Sequence, residues 1–139
     1  MHTVYLSLGS NIGNRKRAMR DAVALLGERV GTVVRQSSLY ETEPWGFETP
    51  NLFINACVEL TTSLAPVDLL RATQQIEQDL GRTGKSVDGV YHDRAIDIDI
   101  LLYDDLHVNL PFLQIPHPLM QERDFVMKPL RELLGDKAR

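Results

Sequence analysis

The chain has few of the features that mark secreted or membrane proteins. Cys57 is its only cysteine, which excludes an intrachain disulfide and a multi-cysteine metal site. The sequence has no basic-then-apolar start of the kind seen in secretory leaders, and no apolar run approaches the length of a membrane span. We therefore expect a cytoplasmic protein with no membrane partner, in which Cys57 is a small core residue.

The chain also has no excess of positive charge. The net charge is −4, from 15 Lys and Arg against 19 Asp and Glu. A protein whose main partner is a nucleic acid usually carries a basic surface, so we expect no nucleic-acid partner. A local basic site for a phosphorylated ligand stays open.

The remaining composition is typical of a globular protein. Of the 139 residues, 43% are hydrophobic and 24% are charged, which is enough apolar material for a core. We expect a single domain over residues 1–139 that is a monomer.

Hydrophobic periodicity predicts the element order β-α-β-β-α-β. The predicted strands cover residues 3–8, 33–42, 52–62 and 96–102, and the predicted helices cover residues 15–28 and 66–81. A last helix follows Phe125. This order predicts an α+β, ferredoxin-like βαββαβ sandwich, in which an antiparallel sheet has helices on one face and two long active-site loops, 43–51 and 82–94.

The most informative stretch is the strand over residues 96–102. Successive residues of a strand point to opposite faces, so Asp97 and Asp99 share one face and the isoleucines beside them point to the other. Two neighbouring carboxylates repel each other unless solvent, a proton or a cation relieves them. A solvated acidic face and a divalent-cation site both satisfy this pattern, and carboxylate oxygens suit Mg²⁺.

Further residues extend the pattern toward a phosphorylated ligand. Arg82 and Arg94 lie in the loop that leads to the aspartate strand, and Arg123 lies downstream of it. Two prolines flank His117 and present it on a rigid, exposed turn. Because Mg²⁺ and arginines together neutralise and align a polyphosphate, this set predicts a nucleotide-dependent phosphoryl or diphosphoryl transfer. The acceptor is not identified by these residues.

Two other residues leave alternatives open. Asn55 lies mid-strand among apolar residues, where its amide either bonds a neighbouring strand or reads the edge of a flat heterocycle. Trp45 lies on a loop, where it is either tucked into the core or covers a ligand.

Four motifs together resemble one enzyme family. They are Gly9-Ser10-Asn11, Phe53-Ile54-Asn55-Ala56, Asp97-Ile98-Asp99-Ile100-Leu101-Leu102-Tyr103, and Ile115-Pro116-His117-Pro118 with Arg123-Asp124-Phe125. In this order and spacing they look like the 6-hydroxymethyl-7,8-dihydropterin pyrophosphokinases of folate biosynthesis, over nearly the whole chain. The resemblance implies transfer of diphosphate from ATP to the hydroxymethyl oxygen of a reduced pterin, with release of AMP.

The resemblance also implies a metal and nucleotide site. Asp97 and Asp99 would ligate two Mg²⁺ ions that bridge the ATP phosphates, and with Arg82 and Arg94 they would form the catalytic set. The implied ATP contacts are Gln74, Glu77, Arg82, Arg94, Ile100, His117 and Arg123.

A pterin site follows from the same resemblance. The implied pterin contacts are Thr42, Trp45, Phe53, Asn55 and Phe125. The two phenylalanines would sandwich the ring and Asn55 would read its edge, an arrangement that suits a flat donor-acceptor heterocycle. The sequence departs from the family in the loop before the aspartate strand, where members often have Trp-Gly-Pro-Arg and this chain has Tyr91-His92-Asp93-Arg94.

Two other classes of function compete with this interpretation. A non-catalytic ferredoxin-like module that binds RNA would need exposed aromatic residues and a basic face, and a regulatory module would not need Asp97 and Asp99 beside arginines. A different Mg²⁺-nucleotide enzyme on this fold, such as a nucleotidyl transferase, would leave Asn55 and the Pro-His-Pro turn without a role.

Overall fold

The structure is a computed structural model that describes residues 1–11, 13–42, 52–81 and 95–135, with the backbone alone at Thr42. The strands are β1 His2–Ser10, β2 Gly31–Gln36, β3 Tyr40–Thr42, β4 Phe53–Thr62, β5 Asp97–Tyr103, β6 Val108–Leu110 and β7 Leu113–Ile115. The helices are α1 Arg15–Arg29, α2 Pro66–Gly81, a 3₁₀ turn Met120–Glu122 and α3 Asp124–Leu134. Both predicted active-site loops, 43–51 and 82–94, lie outside the described residues.

The main sheet is antiparallel and has the order β2-β4-β1-β5, with β3 continuing alongside β4. β1 and β4 are therefore its central strands, and β5 forms one edge. Short β6 and β7 make a separate hairpin. Together with the helices this is the α+β sandwich that the element order predicts.

One face of the sheet is covered by α1 and α2. The periodic apolar positions of the strands, among them Leu6, Val58 and Ile98, pack there against helix residues such as Met19 and Ile76. Asn14 caps α1, because its side-chain oxygen accepts a hydrogen bond from the backbone N–H of Arg17 at 3.1 Å. The hydrophobic periodicity from which these elements are predicted thus corresponds to the buried face of each element.

The opposite face is covered in part by α3. Cys57 and Leu101 are fully buried beneath Val126, Leu130 and Leu133 of this helix. The prediction that Cys57 is a core residue is confirmed. The rest of this face, near the ends of β4 and β5, carries polar side chains.

The second predicted strand, residues 33–42, is divided into β2 and β3. The interruption occurs at Ser37, whose backbone N–H donates to the carbonyl oxygen of Cys57 at 2.9 Å, while its hydroxyl accepts from the N–H of Cys57 at 2.8 Å. Because a side chain replaces a backbone carbonyl in the ladder, the pairing register shifts here. The result is a short β3 that lies beside the start of β4.

β5 is also irregular. Its pairing with β1 shifts at Leu101, which is the extra residue of a β-bulge. As a consequence Leu101 and Leu102 both pack toward α3, while Tyr103 returns to the core beneath α1 and α2.

Within the described part of the chain, none of the helices has the length and apolar character needed to span a membrane.

Candidate active site

The two predicted metal-binding aspartates stand at the start of the edge strand β5. Asp97 and Asp99 are half-buried, and they lie on the face that α3 covers in part. Their direct neighbours on β1 are Gly9 and Ser7. The isoleucines of β5 point into the opposite core, so the predicted separation of the two faces is confirmed.

A third carboxyl group meets this strand from α2. Oε2 of Glu77 accepts a hydrogen bond from the backbone N–H of Ile98 at 2.8 Å. Burial, with smaller contributions from the neighbouring Asp97 and Asp99, raises the pKa of Glu77 to about 8 against the opposing effect of the Ile98 N–H. Glu77 thus fixes the peptide between the two aspartates.

The carboxylate pair suits a magnesium ion that shares its coordination with a substrate. Among the residues that the structure describes, no group of three or more His, Cys, Asp or Glu side chains forms a complete metal site. Mg²⁺ is commonly held by one or two carboxylates, with phosphates and water in its other positions. Asp97 and Asp99 provide that number of hard oxygen donors on one face of a rigid strand.

His117 lies beside the same end of β5. Its backbone N–H donates to the carbonyl oxygen of Leu101 at 3.1 Å, which docks the Pro-flanked turn on the strand. The side chain is half-buried rather than exposed as predicted, and burial lowers the pKa of His117, with a further lowering by Arg123 and an opposing effect of Asp97. Nδ1 of His117 accepts from the N–H of Leu119 at 3.3 Å, so in the neutral ring the proton is on Nε2.

Arg123 is a buried cation at the start of α3. Its side chain is only 8% exposed, and its guanidinium carbon lies 5.7 Å from the ring centroid of Phe125. A guanidinium over an aromatic face is stabilised by a cation–π interaction. Arg123 lowers the pKa of His117 and Asp97 raises it, as expected for charges near the imidazole.

Asn55 lies in the same row of the sheet as Asp97. Gly9 is paired with Asn55 on one side and with Asp97 on the other, so the three residues follow one another across β4, β1 and β5. Asn55 is 2% exposed, and a Cβ added to Gly9 would lie 3.0 Å from its Oδ1. The absence of a side chain at Gly9 lets the amide of Asn55 lie over the central strand.

Two other predicted pterin residues, Phe53 and Phe125, lie on the same side of the sheet as Asn55. Phe53 shares the face of Asn55 and is half-buried, and its partner on β3 is Thr42. Phe125 is half-buried at the start of α3, against the core on this same face. The structure therefore places one aromatic residue on the sheet and one on the helix, both on the side of the sheet that carries Asn55.

Of the remaining nucleotide residues, Gln74 is exposed on α2, one turn before Glu77. The side chain of Ile100 is buried in the core. In an antiparallel edge strand, alternate residues direct their backbone N–H and C=O away from the sheet. Since the N–H of Ile98 points to Glu77, the backbone of Ile100 also faces the open edge.

The profile of a protein family matches residues 5–135 of this chain. The family is described as 7,8-dihydro-6-hydroxymethylpterin-pyrophosphokinase. The chain belongs to this pyrophosphokinase family.

Relatives with that activity in their names support membership of the pyrophosphokinase family. The 2-amino-4-hydroxy-6-hydroxymethyldihydropteridine pyrophosphokinase of Porphyromonas gingivalis strain ATCC 33277 is 54% identical over 134 residues, which cover 96% of this chain and 91% of that protein. The enzyme of the same name from Bacillus subtilis strain 168 is 48% identical over 130 residues, which cover 93% of this chain and 76% of that protein.

Solved structures extend the pyrophosphokinase likeness to the fold. An HPPK-DHPS in complex with substrates has a TM-score of 0.77 and 14% identity, over 97% of this chain and 40% of that chain. Wild-type Plasmodium falciparum HPPK-DHPS with pteroate has a TM-score of 0.73 and 15% identity, over 94% of this chain and 40% of that chain. At these identities the likeness concerns the fold alone, and it confirms the predicted fold class.

Some of the predicted site residues lie outside the part of the chain that the structure describes. Arg82, Arg94 and Trp45 are outside the described residues, and so is the side chain of Thr42. Their roles remain predictions.

Sequence reasoning missed two features of this pyrophosphokinase site. It used Gly9 only as part of the Gly9-Ser10-Asn11 motif, although the pairing of β1 with β4 places Gly9 under the amide of Asn55. It also did not foresee that Glu77, a predicted ATP contact, accepts a hydrogen bond from the backbone of the aspartate strand. Neither feature has a signal in the local sequence, because each depends on how distant segments of the chain meet.

Proposed function

We propose that this protein transfers a diphosphoryl group from ATP to the hydroxymethyl oxygen of 6-hydroxymethyl-7,8-dihydropterin, with release of AMP, in folate biosynthesis. The observation that carries the proposal is the row formed by Asn55, Gly9 and Asp97 across three strands. Neighbouring strands lie about 5 Å apart, so the amide and the carboxylate stand roughly 10 Å apart on one face. A bicyclic ring with a hydroxymethyl arm can span that separation between an amide that reads the ring and a carboxylate pair that serves the phosphates.

On the phosphate side, Asp97 and Asp99 would hold two Mg²⁺ ions. When bound, these ions neutralise the charge of the triphosphate and polarise its phosphoryl oxygens. Arg123 and the Nε2 proton of His117 supply hydrogen-bond donors beside the aspartates, where burial strengthens their effect on a charged ligand. Arg82 and Arg94 are proposed to grip the same triphosphate.

Gln74, Glu77 and Ile100 complete the proposed nucleotide side. Glu77 keeps the aspartate strand in place through the N–H of Ile98. The outward-facing backbone of Ile100 offers a donor and an acceptor that a nucleobase can use, which is how a residue with a buried side chain contributes to the site.

On the pterin side, Asn55 would pair with the donor and acceptor groups at the ring edge. Phe53 and Phe125 would cover the two faces of the ring, because flat aromatic surfaces gain from stacking. Thr42 and Trp45 are proposed to contact the same ring, Thr42 through its backbone beside Phe53.

The reaction is a displacement at phosphorus. The hydroxymethyl oxygen bonds to the β-phosphorus of ATP, and the bond from that phosphorus to the oxygen shared with the α-phosphate breaks. AMP leaves with that oxygen, and the hydroxyl proton passes to solvent. The contribution of the protein is to align the two substrates and to oppose the charge of the transferred group.

The test is AMP formation that depends on the pterin. Asp97→Asn and Asp99→Asn keep the shape of each side chain and remove its charge, so we expect kcat/KM to fall by roughly a hundredfold or more. Asp105→Asn is the matched control, since Asp105 is exposed beyond the end of β5. It should retain the activity of the unaltered protein.

A second measurement separates loss of the site from loss of the fold. Mg²⁺ with a non-hydrolysable ATP analogue should raise the Tm of the unaltered protein and of Asp105→Asn, because a ligand that binds the folded state stabilises it. Asp97→Asn and Asp99→Asn should keep the ligand-free Tm and lose most of this increase. Full activity in either aspartate variant would contradict the assignment.

A further inference from the structure

The short strand β3 borders the proposed pterin site. Its three residues pair with the first three of β4, so that Tyr40 lies opposite Asn55 and Thr42 lies opposite Phe53. A strand of three residues has few ladder hydrogen bonds of its own, and it is separated from β2 by the interruption at Ser37. Its position beside β4 therefore depends on contacts from outside the sheet.

One such contact comes from α3. Glu132 uses both carboxylate oxygens: Oε1 accepts from the Tyr40 hydroxyl at 2.6 Å, and Oε2 accepts from the Ser38 backbone N–H at 2.8 Å and the Ser38 hydroxyl at 3.2 Å. These bonds lower the pKa of Glu132 and raise the pKa of Tyr40, as expected for a carboxylate that accepts from a phenol. Glu132 thus holds both the approach to β3 and its first residue.

The second contact comes from α1. Nη1 of Arg15 donates to the carbonyl oxygen of Leu52 at 2.7 Å and lies 3.1 Å from Oε2 of Glu41. Tyr40 and Glu41 are successive strand residues and point to opposite faces, so the two contacts reach β3 from opposite sides of the sheet. Arg15 also joins β3 to the residue directly before β4.

We propose that Glu132 and Arg15 form a two-sided clamp on β3, and that they are positioning residues for the pterin side of the active site. They would act through β3 on its cross-strand neighbours Asn55 and Phe53 and on the backbone of Thr42. This inference rests on the proposed function.

The clamp should affect the pterin side more than the whole fold. Its contacts are at the surface, where hydrogen bonds and ion pairs contribute little to global stability. β4 is also paired with β1, from Ile54 to Thr62, and this pairing does not depend on β3. The nucleotide residues on β5 lie on the far side of β1 from β3. Loss of the clamp is therefore a local change at one substrate.

The experiment compares the KM for each substrate in the full-length protein. The variants are Glu132→Ala, Glu132→Gln and Arg15→Ala, and the control is Glu122→Ala, which removes an exposed carboxylate just before α3. The net worth of one or two hydrogen bonds corresponds to roughly a three- to tenfold change in an equilibrium constant. We expect the pterin KM to rise by about that factor in Glu132→Ala and Arg15→Ala and less in Glu132→Gln, which keeps an acceptor oxygen. The ATP KM should stay within about twofold of the unaltered value.

Tyr40→Phe provides a double-mutant cycle. It should raise the pterin KM in the unaltered protein and have little further effect in Glu132→Ala, because the two residues share one bond. The Tm of every variant is measured together with its KM values.

The outcomes distinguish the clamp from the activity itself. If the unaltered protein forms no AMP with the pterin, the proposed function fails and the clamp proposal fails with it. If it forms AMP but Glu132→Ala and Arg15→Ala keep an unaltered pterin KM, only the clamp is refuted. An equal rise in the KM of both substrates, together with a lower Tm, would mean that these residues are structural and would also refute the clamp.

Discussion

Gly9→Ala tests whether the amide of Asn55 reads the pterin. The substitution adds a single methyl group on the central strand, and the backbone of Gly9 lies outside the left-handed region, so alanine can adopt it. The new Cβ would lie 3.0 Å from Oδ1 of Asn55, 3.5 Å from Cδ1 of Phe53 and 3.9 Å from the carbonyl oxygen of Ile54. Only the first of these distances is shorter than ordinary van der Waals contact.

The magnitude follows from that one close contact. Overpacking a well-packed site typically costs 1–3 kcal/mol, and with a single contact affected we expect about 1 kcal/mol. The amide of Asn55 is buried and cannot move out to solvent, so it must shift within the site. A shift of a few tenths of an ångström spoils its geometry toward the ring. If the cost falls on pterin binding, the pterin KM rises by about fivefold.

The assay measures AMP formation with each substrate varied in turn. In Gly9→Ala the pterin KM should rise, while the ATP KM should change little, since the nucleotide residues other than Asp97 are not neighbours of Gly9. A pterin KM within twofold of the unaltered value, in a variant that folds normally, would refute the role given to Asn55.

Two other glycines serve as controls for the added methyl group. Gly27→Ala lies within α1, where the nearest atom to the new Cβ is Cγ2 of Val33 at 3.9 Å. It should stabilise the protein by up to about 1 kcal/mol and leave both KM values unaltered. Gly31→Ala would place its Cβ 1.9 Å from the carbonyl oxygen of Thr61, so the backbone must move and the Tm should fall strongly. Comparison with Gly27→Ala and Gly31→Ala therefore separates a change in pterin binding from a general loss of stability.

Three further predictions concern titration and stability. Burial raises the pKa of the Cys57 thiol to about 12, so at pH 8 a thiol reagent should label Cys57 only in denaturant. Labelling of the native protein as fast as of the unfolded protein would contradict the burial of Cys57. The pKa of Glu132 lies below its ordinary 4.5, so its contribution to stability should be present at pH 7 and be lost as pH falls below 4.5. The difference in Tm between the unaltered protein and Glu132→Gln should therefore disappear at low pH, and a difference independent of pH would argue against the ionised contact. Tyr103→Phe removes a 2.6 Å hydrogen bond to the carbonyl oxygen of Leu64 and should cost roughly 1–2 kcal/mol in urea unfolding, whereas an unchanged midpoint would show that this bond is not stabilising.

Local periodicity was sufficient to predict most of the fold. The alternation in the aspartate strand placed Asp97 and Asp99 opposite the isoleucines, and the structure confirms it. The same two-residue repeat puts Asn55 and Cys57 on one face of β4, and Cys57 packs beneath α3 on that face. These features depend only on the two-residue repeat of a strand, so no knowledge of distant contacts is needed.

Features that depend on contacts between distant segments could not be predicted in this way. The interruption at Ser37 arises from a hydrogen bond with Cys57, 20 residues away. The carboxylate of Glu132 meets Tyr40 across 92 residues, and nothing in either local sequence indicates the pair. His117 was expected on an exposed turn, but its backbone docks on Leu101, and the side chain is half-buried as a result.

The β-bulge at Leu101 limits where this chain can change length. Deletion of one residue between Asp99 and Tyr103 would remove the bulge and restore regular alternation, with the aspartates and Tyr103 kept on their present faces. Deletion of Ile98 would instead make the two aspartates successive strand residues and turn one of them toward the core beneath α1 and α2. We therefore expect β5 to tolerate loss of one residue at the bulge but not between the aspartates.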